Sequence, residues 1–448
     1  MLGVIVLLVL VCLLVVSSLG MLLFSVIQAA SGSTALTPTV NASQTAQAGK
    51  TTPTPILSPT PLSSAPFYPP NNAPVPALQL PAGHTLIYEE QGGIYLIPSA
   101  GGLPQQLVTP GYLYNEAVRP ILTPSGQLLY SGTGIWLTNI FSGTITQIAA
   151  FASNQVITAM TLSSDGTTIA WSTEAANGNG AIDIYAGSLA APVKVFEQSS
   201  AHCPCFRVFG FLNGAGKQGN NTLLLTDNQQ SHVAIQYGLW SLDLTAPPLT
   251  ALPSLLLPEN TTQGPLALAP FSNVLLYSSY EGGVPVPTDN SVPDEVGALT
   301  YPNSLDVTTL DGRPLKSDVS HVLLPEQHEL LNSAEYHWIT TPVFTPDGHN
   351  IIYVEFSSLS QPPYDRSSAI FMASISGAGK SLRVGKPQLL LTSTARLVEL
   401  GGWFSNNILT IYADGAIYAL NMHNDSSAMI IRIHTYARII GAVGTGNV

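Results

Sequence analysis

The sequence predicts an all-β fold, a β-propeller of about seven four-stranded blades over residues 80–448, preceded by one transmembrane helix at 1–29 and a Pro/Ser/Thr-rich disordered stalk at 30–79. Three observations lead there. Residues 1–27 carry no charged side chain, the next stretch is dominated by proline and small hydroxylated residues, and the remainder repeats one strand-and-turn pattern.

The apolar run Met1–Ile27 would form a helix of about 40 Å at ~1.5 Å per residue, against a hydrocarbon core of about 30 Å. It is long enough to cross with some tilt. A cleaved signal peptide is the alternative, but that would carry a basic leader and a shorter apolar region. The first Lys or Arg is Lys50, so charge asymmetry gives no orientation. Ten prolines lie between Pro38 and Pro76. Such a segment buries no core and favours extended polyproline conformations, giving a reach on the order of 100 Å. A stalk of this kind suits an outer surface, so the globular part is expected outside the cytoplasm, on a single-pass membrane anchor.

Composition narrows the partners. The net charge is −12, with 14 Lys+Arg against 26 Asp+Glu, and only 9% of residues are charged, where soluble domains have roughly 25%. No basic cluster offers a footprint for a phosphate backbone, so no nucleic acid partner is expected.

After residue 80 the pattern alternates over short runs bounded by Gly, Pro, Asn and Asp, which marks strands and tight hairpins. RPILTPSGQLLYSG (119–132), MTLSSDGTTIAWST (160–173), LALAPFSNVLLYSS (266–279) and TPVFTPDGHNIIYVE (341–355) share one grammar: a short apolar strand, a turn, then a strand ending in an aromatic. The next strand carries an Ile-Tyr or Ile-Trp pair and a glycine turn, as in GGIYLIPSAGG (92–102) and GIWLTNIFSG (134–143). Turn anchors near Gly83, Gly126, Gly166, Gly214, Asn273, Gly348 and Asn406 give the blade number, with six or eight as alternatives.

TPVFTPDGHNIIYV and GIYLIPSAGGLPQQL resemble the repeats of TolB-type, WD40-like β-propellers, whose pattern is Pro-x-Trp-Ser-Pro-Asp-Gly, an Ile-Tyr strand and a Gly-Gly turn. Phe344 or Leu122 replaces the Trp, and Ser125 replaces the Asp in one copy. The resemblance implies an extracytoplasmic binding scaffold. The motif itself specifies a turn, so it speaks for fold rather than function.

The tetrapeptide GAGK occurs at 214–217 and 377–380 and suggests a phosphate loop. That motif needs a first glycine at 374, which is Ser, and a following helix, whereas LRVGKPQLLLT alternates like a strand. Gln218 replaces the hydroxyl of the other copy. Both are read as turns, with no nucleotide and no cofactor.

In a blade of strands A to D, the A–B and C–D turns share one face and the B–C and D–A connections the other. The first class is minimal here; the second holds the insertions 280–304, 357–368, 109–119, 197–207 and 324–338. Long loops on a rigid scaffold usually carry binding groups, so the candidates lie there. Tyr112, Tyr114, Glu116 and Arg119 combine stacking rings with a fork donor and suit a glycan or peptide end, with packing as the plainer reading. His202, His337, Tyr364, Asp365 and Arg366 complete the ligand-binding set. Asp289, Asp294 and Glu295 could bind calcium, although the D-x-D-x-D-G order is missing. Cys203 and Cys205 read first as a local disulfide and second as part of a metal site. No G-x-S-x-G elbow is present and no catalytic residue is assigned.

The functional expectation is a membrane-tethered extracytoplasmic scaffold that binds a protein, peptide or glycan at the cell envelope. The rivals are a propeller lyase or hydrolase acting on envelope polysaccharide or peptide, and the sensor half of a longer signalling protein.

Overall fold

The computed structural model describes residues 66–70, 78–115, 118–177, 181–198, 204–212, 221–227, 236–258, 263–264, 266–278, 304–314, 321–324, 336–339, 342–358, 366–395, 397–433 and 435–444. The expected transmembrane helix and the stalk as far as Ala65 lie outside them. Among the described residues no helix is long and apolar enough to cross a membrane.

The described strands form seven antiparallel sheets, each one blade of a propeller. The second blade runs Ile121–Leu122, Gln127–Ser131, Gly134–Asn139, Ile145–Ala150, and the third Gln155–Leu162, Thr168–Ala175, Ile182–Ser188, Ala191–Gln198. The fourth is built from Phe206–Phe211, Thr222–Asp227, Gln236–Asp243 and Ser254–Leu257, and the fifth from Leu266–Leu268, Val274–Tyr277, Leu305–Thr309 and His321–Leu324. In the sixth, the inner strand is split into Tyr336–Ile339 and Val343–Phe344, followed by Asn350–Ser358, Arg366–Ser376 and Gln388–Ser393. The seventh is Val398–Ser405, Ile408–Ala413, Ala416–Asn421 and Ser427–Arg432.

The first blade is completed from both ends of the chain. His84–Glu90, Gly93–Pro98 and Gln105–Gln106 supply three strands, and Ala437–Gly444 returns to supply the innermost one, paired from His84↔Gly444 to Glu90↔Ala437 with one bulge between Ile87 and Tyr88. Closing the ring this way pairs an edge that would otherwise template aggregation.

The second strand of each blade is covered by neighbours on both faces, which is why it reads as an almost continuous apolar run. Ile408–Ala413 is buried at every position, whereas the third-blade strand Ile182–Ser188 alternates. The aromatic that ends the second strand stacks across the ladder on the Ile-Tyr aromatic of the third: Tyr88 on Tyr95, Trp171 on Tyr185, Tyr353 on Phe371, with ring centroids 5.6, 5.0 and 5.4 Å apart. Each such pair contributes about 0.5–1.5 kcal/mol beyond its area burial. The two sequence signatures are thus halves of one cross-strand contact.

Between the blades the apolar residues gather into clusters, one at each junction around the ring. Ile87 and Tyr130 join the first blade to the second, and Leu86 and Phe404 join the seventh to the first. The remaining clusters join second to third, third to fourth, fourth to fifth, fifth to sixth and sixth to seventh.

The A–B turns share one chemistry. Thr123, Ser163 and Thr345 each accept, on the side-chain oxygen, the N–H of Gln127, Thr168 and Asn350 at 3.0, 2.9 and 2.9 Å. Gly126, Gly166 and Gly348 follow at φ 77, 73 and 73°, a region that glycine enters without penalty. GAGK at 377–380 is a C–D turn of the sixth blade, in which the Gly379 N–H donates to Thr309 Oγ1 of the fifth blade at 3.0 Å. The other GAGK lies outside the described residues, within the A–B connection of the fourth blade.

A segment assigned from sequence to the stalk belongs to the propeller. Phe67–Tyr68 pairs with Gln388–Ser393 as an extra outer strand of the sixth blade. Phe67 is 2% exposed and meets Tyr418 edge to face at 5.3 Å. A buried aromatic and a paired outer edge suffice to pull a proline-flanked pair of residues out of the stalk.

Candidate binding site

The described B–C and D–A connections place a cavity of about 550 Å³ on their face of the ring, over the second blade. Its walls are residues 113–115 of the first D–A connection, 131–133 at the turn between the two middle strands, and 151–153 with 155–157 leading into the third blade. The loop 109–119 is held down by a bridge between Tyr112 and Gly132 and by the Thr133 N–H donating to Gly111 O at 3.0 Å. Gly132 is required there, because a Cβ would stand 1.7 Å from Gly111 O. Asn115 Nδ2 donates to Ile157 O at 3.2 Å and joins opposite walls.

Beside the cavity lies an ionic network drawn from three blades. Arg438, on the closing strand, donates through Nε to Glu89 Oε2 at 2.8 Å and through Nη2 to Asn115 O at 3.3 Å. Its guanidinium carbon sits 4.8 Å from the centroid of the Tyr114 ring, a cation–π contact that fixes a cavity wall. Glu89 Oε1 is buried and has no hydrogen-bond partner among the described residues. Burial pushes the Glu89 carboxyl above the ordinary range, with Arg438 pulling the other way.

Arg119, entering the second blade, donates to Glu399 Oε1 of the seventh at 3.2 Å. Its side chain keeps 47% of its surface exposed, while that of Glu399 keeps 9%. Burial works against its charge, but Glu399 raises its pKa overall. Tyr436 donates its phenol to Glu399 Oε2. Burial, reinforced by Glu399, drives that phenol far above the usual tyrosine range, so it keeps its proton.

The residues singled out from sequence are distributed unevenly. Tyr114 forms a cavity wall and Arg119 the adjoining network. Tyr112 packs edge to face on Tyr130 at 5.9 Å, inside the junction cluster of the first two blades. His337 stands on the inner strand of the sixth blade opposite Ser357, and Arg366 opens a middle strand opposite Ser358, both remote in sequence from the cavity walls. Glu116, His202, Tyr364, Asp365, Asp289, Asp294, Glu295 and Cys203 lie outside the described residues. Cys205 is half-buried, and its N–H donates to Asp227 Oδ1 at 2.9 Å. Among the described residues no group of His, Cys, Asp and Glu is arranged to hold a metal ion.

Sequence reading missed Glu89, Glu399, Tyr436 and Arg438. The signal available was the buried charge itself: Glu89 ends an apolar strand and Arg438 interrupts one. A charge in such a run calls for a partner, but the sequence does not say where the partner is.

No protein-family profile matches the chain, and no curated protein sequence does. Solved structures similar to it include a TolB from Agrobacterium tumefaciens, 12% identical over 75% of this chain and 94% of that one, with a TM-score of 0.35. A Lactobacillus plantarum protein is 10% identical over 80% and 97%, with a TM-score of 0.44. An oligogalacturonate lyase in complex with manganese is 11% identical over 76% and 70%, with a TM-score of 0.34. The seven-bladed propeller stands on this chain's own strand pairing.

Proposed function

We propose that this chain is a membrane-tethered, extracytoplasmic β-propeller that serves as a binding scaffold at the cell envelope, engaging a protein, peptide or glycan partner through its long-connection face. The observation that carries the reading is the cavity on the face of the B–C and D–A connections, walled by three of those connections and flanked by an ionic network that holds its wall. The uncharged run 1–27 and the proline-rich segment after it support the tether.

Two measurements test this. Protease added to intact cells is expected to release a propeller-containing fragment; a propeller cut only after permeabilisation rejects the location. A photo-crosslinking residue installed at Thr133, on the long-connection face, is expected to trap a partner that the same residue at Ser142, on the short-turn face, does not. Trapping at Ser142 alone rejects the assignment of the face.

A second reading, a lyase or hydrolase, has one observation behind it: Arg119, Glu399 and Tyr436 converge from different blades. With its proton retained, Tyr436 would serve there as a donor rather than a base. Loss of turnover of an envelope polysaccharide in Tyr436→Phe, with the fold intact, is the result this reading requires.

A further inference from the structure

The cavity over the second blade also indicates what chemical class of ligand it takes, an inference that rests on the scaffold reading above. We propose that it binds an uncharged oligosaccharide, with a sugar ring laid on Tyr114 and its hydroxyls directed to the neutral side chains around the rim.

The first observation concerns charge. None of the described residues lining the cavity is ionisable apart from the phenol of Tyr114. The nearby Arg438 and Arg119 are already paired, with Glu89 and Glu399. A charged ligand entering this space would lose water without gaining a counter-charge, a cost that an uncharged ligand avoids.

The second is the platform. Tyr114 is 39% exposed and lines the cavity while Arg438 covers it at 4.8 Å, and Arg438 is in turn held by Glu89. The ring is therefore immobilised before any ligand arrives, which lowers the entropy lost on stacking. Phe151, half-buried, adds a second aromatic wall. A pyranose offers an apolar C–H face for such rings and a rim of hydroxyls for Thr133 and Ser153 and for the amide oxygen of Gln155, whose Nε2 donates to Asp183 Oδ2 at 3.0 Å.

The third separates a glycan from a peptide. A peptide binding as an added strand needs open main-chain groups. Here the main chain around the cavity is engaged with itself: Thr133 N–H with Gly111 O at 3.0 Å, Phe151 N–H with Thr133 O at 3.3 Å, and Gln155 N–H with Ala152 O at 3.0 Å. Gly132 N–H bonds Gly134 O at 2.9 Å, and Ile157 O accepts from Asn115. Recognition is left to side chains. The volume, about 550 Å³, lies within the range of roughly 300–1,000 Å³ usual for small-ligand sites.

The test uses the full chain in detergent, titrated with cellotriose, maltotriose and N,N′-diacetylchitobiose, with trigalacturonate as the charged counterpart and an Ala-Tyr-Ala tripeptide as the peptide probe. Saturation-transfer NMR on the unaltered protein is expected to show saturable binding of at least one neutral sugar and weaker binding of trigalacturonate. Tyr114→Ala and Phe151→Ala should each weaken that binding about tenfold, while Tyr114→Phe, which keeps the ring, stays within about twofold. Ser142→Ala, on the opposite face, should leave it unchanged. The proposal is overturned if no neutral sugar binds, if trigalacturonate or the tripeptide binds better, or if Tyr114→Ala folds and binds normally. Such a failure removes the ligand class alone: the scaffold reading is judged separately, by the protease and crosslinking results in cells.

Discussion

Glu89 and Arg438 are 349 residues apart in the chain, face each other in register across the closing ladder, and meet at 2.6 Å with 1% and 4% of their side-chain surfaces exposed. An ion pair so enclosed makes one partner's removal costly, because the other is left charged and dry. Glu89→Ala or Arg438→Ala is expected to lower stability by about 3–5 kcal/mol. Replacing both by Leu should cost less than the sum of the single changes. Urea denaturation of the single and double variants measures the difference.

Gly132 and Gly111 give a second prediction. Because a Cβ on Gly132 would overlap Gly111 O, Gly132→Ala must push the 109–119 loop away from the second blade. A stability loss of about 1–3 kcal/mol is expected, with faster amide hydrogen exchange at Thr133, whose partner is Gly111 O. Unaltered exchange there would show that the loop does not depend on this close approach.

Asp306, on a middle strand of the fifth blade, has its carboxyl pushed up to about 6 by burial. Between about pH 4 and pH 6 the folded chain holds a proton that the unfolded chain has released. The folded state is therefore favoured below that window and loses the advantage as pH rises through it. Asp306→Asn should remove this decline, so that the stability difference between about pH 4.5 and pH 7 shrinks. Denaturation midpoints at the two pH values provide the measurement.

Phe67 is the fourth case. Phe67→Ala should cost about 3–5 kcal/mol if the whole buried ring is lost. It should also free the outer edge of the sixth blade, detectable as concentration-dependent association in light scattering.

Much of the architecture was legible because its signals are local. Thr123-Pro-Ser-Gly126 and Thr345-Pro-Asp-Gly348 form their turns with their own hydroxyls and glycines, and Tyr353 and Phe371 belong to strands joined by one connection. What lay outside its reach is long-range. Ala437–Gly444 reads as another apolar strand, and nothing local says that it completes the blade begun at His84. The same limit hid the site. Tyr114 and Arg119 stood out by composition, but Arg438 under Tyr114 and Glu399 beside Arg119 come from elsewhere in the chain and arrive only through ring closure. Phe151 and Gln155 carried no signal, since an aromatic and an amide beside a strand are ordinary residues until the neighbouring loop is laid over them.

The extra strand Phe67–Tyr68 also decides where mechanical load enters the molecule. Any tension transmitted along the chain from its N-terminal side meets the rim of the sixth blade first, at a ladder of Phe67↔Ser393 and Tyr68↔Thr392 seated by one buried ring. The seam between His84–Glu90 and Ala437–Gly444, which holds the ring shut, lies further along the line of force. Pulling would peel this outer strand before load reached the closure or the cavity wall anchored by Arg438.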